Sequence, residues 1–194
     1  FKEALALSPA EPRALGWMQE HLRSKKAFAE LRELLLAAAR AEDAAPADRA
    51  GWASEAASLS ETHLGDPNLA LPAWKLLGEL YAGELDEPQL AIRALDRVLS
   101  LDPDDLESLA RLQRCCEDTE SWERYVELSR RLVAFELEAE AQAKLLLRLV
   151  EVLEQELSRP EEALGLLAPG AEREEGPLRV TWRALAERLG RQEE

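Results

Sequence analysis

The sequence predicts an all-helical fold, an α-solenoid of stacked helix pairs, and three observations support this prediction. Alanine, leucine, glutamate and arginine dominate the chain and favour helices, whereas the β-branched residues that favour strands are scarce. A four-position apolar pattern recurs from Trp74, Leu109, Leu146 and Trp182, which are 35, 37 and 36 residues apart. Between these copies, two segments that each contain a proline resemble each other, and they are separated by two of these repeat lengths.

The recurring pattern occupies positions i, i+3, i+4 and i+7, which form one face of a helix. Its fullest copy is Trp74, Leu77, Gly78 and Tyr81, and an earlier copy begins at Leu15. We expect these side chains to pack against neighbouring helices, because one helix pair cannot bury its apolar face alone. The glycine at position 78 predicts a close approach by another helix.

Each patterned helix is followed by a second helix with its own signature. The segments ELDEPQLAIRAL (84–95) and ELSRPEEALGLL (156–167) align, and their prolines, Pro88 and Pro160, lie 72 residues apart. Proline suits the first turn of a helix, where no backbone hydrogen bond is lost. Alanine follows three residues after each proline, and its small side chain allows two helices to approach closely.

These features resemble the tetratricopeptide repeat family, in a bacterial type of solenoid. The residues that carry the resemblance are Trp74, Leu77, Gly78, Tyr81, Ala91, Leu95, Val98 and Pro103. The likeness covers most of the chain and is strongest over residues 71–168. It implies a right-handed α-solenoid of helix-turn-helix repeats, with a concave face on which a partner binds.

One region breaks the repeat. The prolines of GDPNLAL (65–71) and DEPQLAI (86–92) are only 21 residues apart, which is too short for a repeat. Residues 47–63 have a weak apolar stripe, the segment 41–51 resembles a loop, and Pro72 is expected to interrupt the local helix. We therefore predict a junction with irregular helix pairing.

The expected organisation has four parts. Partial repeats occupy residues 1–43, the junction 44–73 and regular repeats 74–168, and a linker with a capping or partial-repeat helix occupies 169–194. The chain starts inside a helical pattern, so we expect it to be part of a longer protein.

Both ends are expected to carry unpaired helices. The apolar residues concerned are Phe1, Leu5 and Leu7 at one end and Trp182, Leu185 and Leu189 at the other. Terminal repeats need a polar outer face, so exposed apolar ends predict end-to-end self-association.

Composition excludes several classes of partner and compartment. The net charge of −15 disfavours nucleic acid, because carboxylates repel phosphates. The chain contains no apolar run near 18 residues, so we expect no membrane insertion. Cys115 and Cys116 are adjacent and form no metal or disulfide motif, so we expect buried apolar residues and a cytoplasmic protein.

The sequence favours a non-enzymatic protein without cofactor or metal. His21 and His63 are the only histidines, and no nucleophile, phosphate-binding or metalloprotease motif occurs. The acidic run at 102–105 lacks the glycine and glutamate of a calcium loop, and it suits the start of a helix instead.

The candidate site is the groove that the resemblance implies. Its lining comes from first helices, at positions beside the packing stripe. These residues are Arg13, Glu20, Arg23, Lys75, Glu79, Glu107, Arg114, Glu117, Asp118, Lys144, Leu147, Glu151 and Glu154. We expect a protein-interaction scaffold that binds a partner segment in this groove. The alternative is a structural spacer of a longer solenoid, with binding elsewhere.

Carboxylates outnumber basic side chains among the groove residues of 74–155. A basic protein or peptide is therefore the expected partner, with binding that weakens as salt rises. Reversal of Glu151 and Glu154 to lysine is expected to slow association and to leave the fold intact, because both are predicted to be exposed.

Overall fold

The protein is described by a computed structural model over residues 8–136, 138–171 and 176–190. These residues form ten α-helices, and no strand occurs among them. The helices are α1 (Pro12–Ser24), α2 (Phe28–Ala39), α3 (Pro46–Thr62), α4 (Leu71–Glu79), α5 (Pro88–Leu101), α6 (Leu106–Asp118), α7 (Trp122–Phe135), α8 (Ala139–Gln155), α9 (Pro160–Ala171) and α10 (Pro177–Arg188). A 3-10 turn (Pro67–Ala70) leads into α4, and a π turn (Leu80–Glu84) extends it. The all-α prediction is confirmed.

The recurring apolar pattern lies in the core. In α6 its four positions, Leu109, Leu112, Gln113 and Cys116, are all buried. Cys115 is buried too, so the predicted burial of both cysteines is confirmed, and neither forms a disulfide.

The chain divides into two compact units, Phe1–Cys115 and Cys116–Glu194, and the boundary falls within α6. In the first unit, consecutive helices from α1 to α5 pack against each other. One apolar cluster joins α1, α2 and α3, and a second joins the ends of α2 and α3 to α4 and α5. Trp52 and Trp74 contact both clusters, so these two indoles connect the core of this unit.

Helix α3 packs through small side chains, which explains its weak apolar stripe. Ala50, Ala53, Ala56 and Ala57 are all at most 4% exposed. Alanine contributes little apolar area, but it allows the backbones of neighbouring helices to come close. A hydrophobic pattern based on large residues therefore underestimates this helix.

Five turns contain one residue in the left-handed conformation, and each turn leads from a first helix to a second. The residues are Lys26, Gly65, Asp86, Glu120 and Ser158, with φ of 54°, 68°, 52°, 53° and 54°. The connections 40–45 and 102–105, which lead from a second helix to a first, contain no such residue. The conformation of a turn therefore identifies the role of the helices beside it.

The segment from Pro67 to Glu84 serves both as the second helix of one pair and as the first helix of the next. The turn at Gly65 leads into it as into a second helix, and the turn at Asp86 leaves it as a first helix. One helix thus completes the pair begun by α3 and begins the pair completed by α5. This sharing accounts for the distance of 21 residues between Pro67 and Pro88.

Two expectations about this region are wrong. The segment 41–51 is helical from Pro46 onward, because proline is accommodated in the first turn of α3. Pro72 also lies in the first turn of α4, where its missing amide costs no hydrogen bond, so it does not interrupt the helix.

Ion pairs in the first unit join helices that are two apart in sequence. The pairs are Arg23–Glu55 (α1 to α3), Arg97–Glu61 (α5 to α3) and Arg111–Glu79 (α6 to α4), with partners 32, 36 and 32 residues apart. Since consecutive helices also pack together, the helices form two rows. We call α1, α3 and α5 the odd row, and α4 and α6 the even row.

Two buried arginines hold the shared segment at both ends. Arg32 of α2 is 8% exposed, and its Nη2 donates to the Leu69 carbonyl at 2.7 Å in the 3-10 turn. Arg49 of α3 is also 8% exposed, and its Nη1 donates to both carboxylate oxygens of Glu84 at 2.8 Å. The Arg49 Nε donates to the carbonyl of Ala39 at 3.0 Å, at the end of α2, where helical carbonyls lack partners.

The second unit has its own core. Helices α7 and α8, α8 and α9, and α9 and α10 pack in turn. The buried side chains are Tyr125, Val126 and Leu128 of α7, Leu149, Val150, Val152 and Leu153 of α8, Ala163, Leu164 and Leu167 of α9, and Leu185 and Ala186 of α10.

The apolar side chains predicted to be exposed on the last helix, α10, are only partly exposed. Leu185 is buried, Trp182 and Leu189 are half-buried, and Val180 is 70% exposed. The corresponding residues at the other end, Phe1, Leu5 and Leu7, lie outside the described residues.

At Gly78 the neighbouring helix comes close through a side chain, that of Leu95, rather than through its backbone. A Cβ at this position would lie 2.6 Å from Cδ2 of Leu95, a side chain of α5 that is 1% exposed. Such contacts force a packed neighbour to shift. Glycine is therefore required where α4 and α5 cross.

Gly78→Ala is expected to lower the free energy of unfolding by about 1–3 kcal/mol through this overpacking. The matched control is Gly51→Ala in α3, where nothing lies within 4 Å of a Cβ. This control should gain about 0.5–1 kcal/mol from helix propensity. Urea unfolding followed by circular dichroism measures both, and equal effects of the two substitutions would contradict the close approach.

Arg32→Met is expected to destabilise the first unit by roughly 1–3 kcal/mol, because Ser60 and the Leu69 carbonyl lose their hydrogen bonds to this arginine. Arg93→Met, at an exposed position of α5, is the control and should change little. The urea midpoints of the two variants are compared with that of the unchanged protein. Equal midpoints for both variants would show that Arg32 does not hold the 3-10 turn.

Candidate functional site

The predicted groove residues lie on four helices, α1, α4, α6 and α8. Most are exposed, and Lys75, Glu117, Leu147 and Glu154 are half-buried. In the first unit, α1 belongs to the odd row, whereas α4 and α6 belong to the even row. A turn with a left-handed residue follows both α1 and the segment of α4, as expected for first helices. The shared segment nevertheless puts α1 and α4 in different rows.

On the even row of the first unit, the groove residues are tied into ion pairs. The Lys75 Nζ lies 2.6 Å from Oδ1 of Asp105, at the start of α6. Arg111 lies 3.0 Å from Glu79 and 2.9 Å from Glu107. Arg111 thus links α6 to α4 and pairs with two of the predicted acidic residues, which leaves one net negative charge.

In the second unit, Arg148 forms ion pairs equivalent to those of Arg111. It lies 2.5 Å from Glu117 on α6 and 3.0 Å from Glu151 on its own helix, α8. Arg188 of α10 pairs with Glu154 of α8. Alternate helices are therefore joined by ion pairs in this unit too.

Lys144 pairs with Glu140 on the same helix at 2.7 Å, and both side chains are more than 70% exposed. Arg23 pairs with Glu55. Arg13, Glu20, Arg114 and Asp118 are exposed and have no ion pair within the part of the chain that the structure describes. Two of these four are basic and two are acidic, so their charges balance.

This pairing reduces the predicted carboxylate excess but does not remove it. Arg111 and Arg148 follow the pattern starts Leu109 and Leu146 by two residues, a position that the groove count left out. The repetition of arginine at that offset was the signal that could have identified them. Each of these arginines pairs with two glutamates, so one negative charge remains in each of the two groups.

The expected effect of reversing Glu151 and Glu154 also needs correction. The Glu154 side chain is 20% exposed and is paired with Arg188. A lysine there would face the Arg188 guanidinium and repel it. The double reversal is therefore expected to loosen α10 from α8 and does not leave the fold untouched.

A shallow depression lies on the even row at the start of α4. It has a volume of about 400 Å³ and is lined by Arg40, Leu71, Pro72, Lys75, Leu76 and Glu79. We call it the α4 depression. Leu71, Pro72 and Leu76 make an apolar floor, and the other three side chains make a charged rim. Lys75 and Glu79 were predicted groove residues, whereas Arg40, at the end of α2, was not predicted.

Ion pairing changes the titration of several groups. Burial raises the pKa of the Asp105 carboxyl, but the hydrogen bond from Lys75 and the contacts with Ser108 outweigh it, so the net pKa is lowered. Burial, with the Glu117 charge, raises the pKa of the Tyr125 hydroxyl. The hydrogen bond to Glu117, followed by that to Glu151, raises the pKa of Arg148. These side chains therefore hold fixed charge states at neutral pH.

The part of the chain that the structure describes contains neither a metal-binding cluster nor a membrane-spanning helix. No three His, Cys, Asp or Glu side chains come together there in a way that would hold a metal ion. No helix there has both the length and the apolar composition needed to cross a membrane.

Comparison with known proteins found no family model that matches the chain and no curated protein with significant similarity. The sequence pattern and the structure are therefore the basis for the proposals below.

Asp105→Asn is expected to destabilise the protein at pH 7 and to make it less sensitive to acid. Because the folded pKa is lower than the unfolded value of about 3.9, the stabilisation is present above about pH 4. It is lost as the pH falls through the folded pKa. Urea midpoints at several pH values measure the difference between wild type and variant, with exposed Asp104→Asn as the control. A difference that stays constant down to about pH 2 would contradict the pairing with Lys75.

Proposed function

We propose that this chain is a tetratricopeptide-like protein-interaction scaffold. In this proposal, first helices present a surface on which a segment of a protein partner docks. The observation that carries the proposal is the α4 depression. Its lining includes Lys75 and Glu79, two of the residues that the repeat resemblance assigns to a partner groove.

The chemistry of the α4 depression suits a peptide. Leu71, Pro72 and Leu76 offer apolar contact, which supplies most of the affinity in such interfaces. Arg40 is exposed and has no ion pair in the described part of the chain, so it is available to a partner carboxylate or carbonyl. Glu79 is 47% exposed beside Arg111 and can accept a hydrogen bond from the partner.

The partner that fits is therefore a protein segment with apolar side chains and charges of both signs. The earlier expectation of a basic partner rested on carboxylates that are paired with Arg111 and Arg148. We expect a smaller salt dependence than an acidic groove would give, because exposed pairs are screened over ~8 Å at physiological ionic strength. The net charge of −15 continues to disfavour nucleic acid.

A spacer section of a longer solenoid is the second candidate, and the ion pairs between alternate helices favour it. Five of the twelve charged side chains at the predicted groove positions are engaged in these pairs, namely Arg23, Lys75, Glu79, Glu117 and Glu154. Exposed pairs contribute about 0–1 kcal/mol each, and several of them would stiffen a stack without binding anything. A cytoplasmic location is proposed for either function, because the free thiols Cys115 and Cys116 suit a reducing compartment.

Selection from a displayed library of random peptides separates the two functions. A scaffold is expected to select peptides with a shared motif. Arg40→Ala should weaken the selected peptide at least about tenfold, since a charged hydrogen bond contributes roughly 1.5–3 kcal/mol. Arg93→Ala, at an exposed position of α5, is the matched control and should bind like the unchanged protein. If no peptide is enriched, or if Arg40→Ala binds the peptide equally well, the spacer is favoured.

A further inference from the structure

A second concave site lies on the odd row, where α1 and α3 begin. It has a volume of about 550 Å³, within the range of ligand-binding pockets. Its lining consists of Ser8, Ala10, Glu11, Pro12, Leu15, Gly16, Gln19, Asp43, Ala44, Ala45, Asp48 and Trp52. We call it the α1–α3 cavity. It shares no residue with the α4 depression.

The α1–α3 cavity combines an apolar wall with an acidic rim. Leu15 is 3% exposed and Trp52 is half-buried, and together they offer an aliphatic surface and an indole. Glu11, Asp43 and Asp48 supply three carboxylates, and no basic side chain is among its lining residues. A ligand with an apolar stem and a positive end therefore matches both parts.

The hydrogen bonds of these carboxylates leave their charge in place. A carboxylate oxygen of Glu11 accepts from the backbone N–H of Ala14 at 2.5 Å, and Oδ2 of Asp43 accepts from Ser8 Oγ at 3.3 Å. Both donors are neutral. The starts of α1 and α3 carry a partial positive charge of about half a unit each, so three carboxylates keep the cavity negative.

Gly16 is one of the lining residues of the α1–α3 cavity. It lies inside α1, where glycine costs about 0.5–1 kcal/mol relative to alanine. No heavy atom would lie within 4 Å of a Cβ there, and its φ is not positive, so neither packing nor backbone conformation requires glycine. The missing side chain keeps the α1–α3 cavity open.

We propose that the α1–α3 cavity binds an arginine side chain of a protein partner, in a segment with apolar neighbours. The guanidinium is planar, so it stacks on an aromatic ring and donates to carboxylates in pairs, and its aliphatic stem covers apolar surface. Trp52 supplies the aromatic ring, and Asp43 and Asp48 supply the carboxylates. A lysine ammonium offers neither a plane nor paired donors.

Two peptides test the proposal on the whole chain. The first is acetyl-Leu-Arg-Leu-amide, and the second carries citrulline, which has the shape of arginine without its charge. Each is titrated into the ¹⁵N-labelled protein, and binding is followed by NMR, including the indole N–H of Trp52. The arginine peptide is expected to bind saturably and at least tenfold more tightly than the citrulline peptide. Absence of binding, or equal binding of both peptides, overturns the proposal.

Variants then locate the site. Gly16→Leu fills the α1–α3 cavity and is expected to weaken the arginine peptide at least tenfold. Gly165→Leu is the matched control, because it too is a helical glycine with nothing within 4 Å of a Cβ, and it should bind normally. Unchanged binding by Gly16→Leu overturns the proposal.

Charge removal is a separate test that does not depend on filling the cavity. The double variant Asp43→Asn/Asp48→Asn changes two exposed rim residues and should also weaken the arginine peptide at least tenfold. Arg40→Ala in the α4 depression should leave this peptide unaffected. The inference goes beyond the proposed function, and the two stand or fall separately, because each has its own cavity, peptide and variant.

Discussion

The arrangement of the first unit depends on two buried guanidinium groups. Arg32 fixes the carbonyl of Leu69 before α4, and Arg49 fixes Glu84 after it. These contacts hold the shared segment at both ends, and the segment must be held because it serves two helix pairs. A buried arginine is stable only when its donors have partners, and no buried side-chain polar atom lacks one in the described residues. The hydrogen bonds of Arg32 and Arg49 therefore compensate for the burial of these two side chains and also set the position of α4.

Much of the fold could be predicted from the sequence, because repeated spacing depends on many residues at once. The pattern at Leu109 and Leu146, the first-turn prolines and the close approach at Gly78 all arise from local periodicity. The role of Arg32 and Arg49 could not be predicted in this way. An isolated arginine in a helical sequence has the same signal whether it faces water or caps a distant carbonyl.

The site was predicted less completely, for an electrostatic reason. Groove positions were counted along single helices, whereas charges are neutralised between helices. Arg111 and Arg148 lie two residues after each pattern start, and each reaches back to a carboxylate one repeat earlier. A charge count that treats helices separately therefore overestimates the net field. The α1 residues were also assigned to the same surface as those of α4, because both helices carry the same apolar pattern. The shared segment puts α1 and α4 in different rows, and the apolar pattern does not reveal this.

The shared segment also changes how many molecules the first unit can hold at once. In a regular array, every first helix would face the same side, and ligands of neighbouring repeats would compete for one continuous channel. Here Gly16 of α1 and Lys75 of α4 open onto different rows of helices. Two chains docked at these places would have separate footprints, so neither would need to leave before the other arrived. A single helix used twice thus places the α1–α3 cavity and the α4 depression on different rows of helices in the first unit.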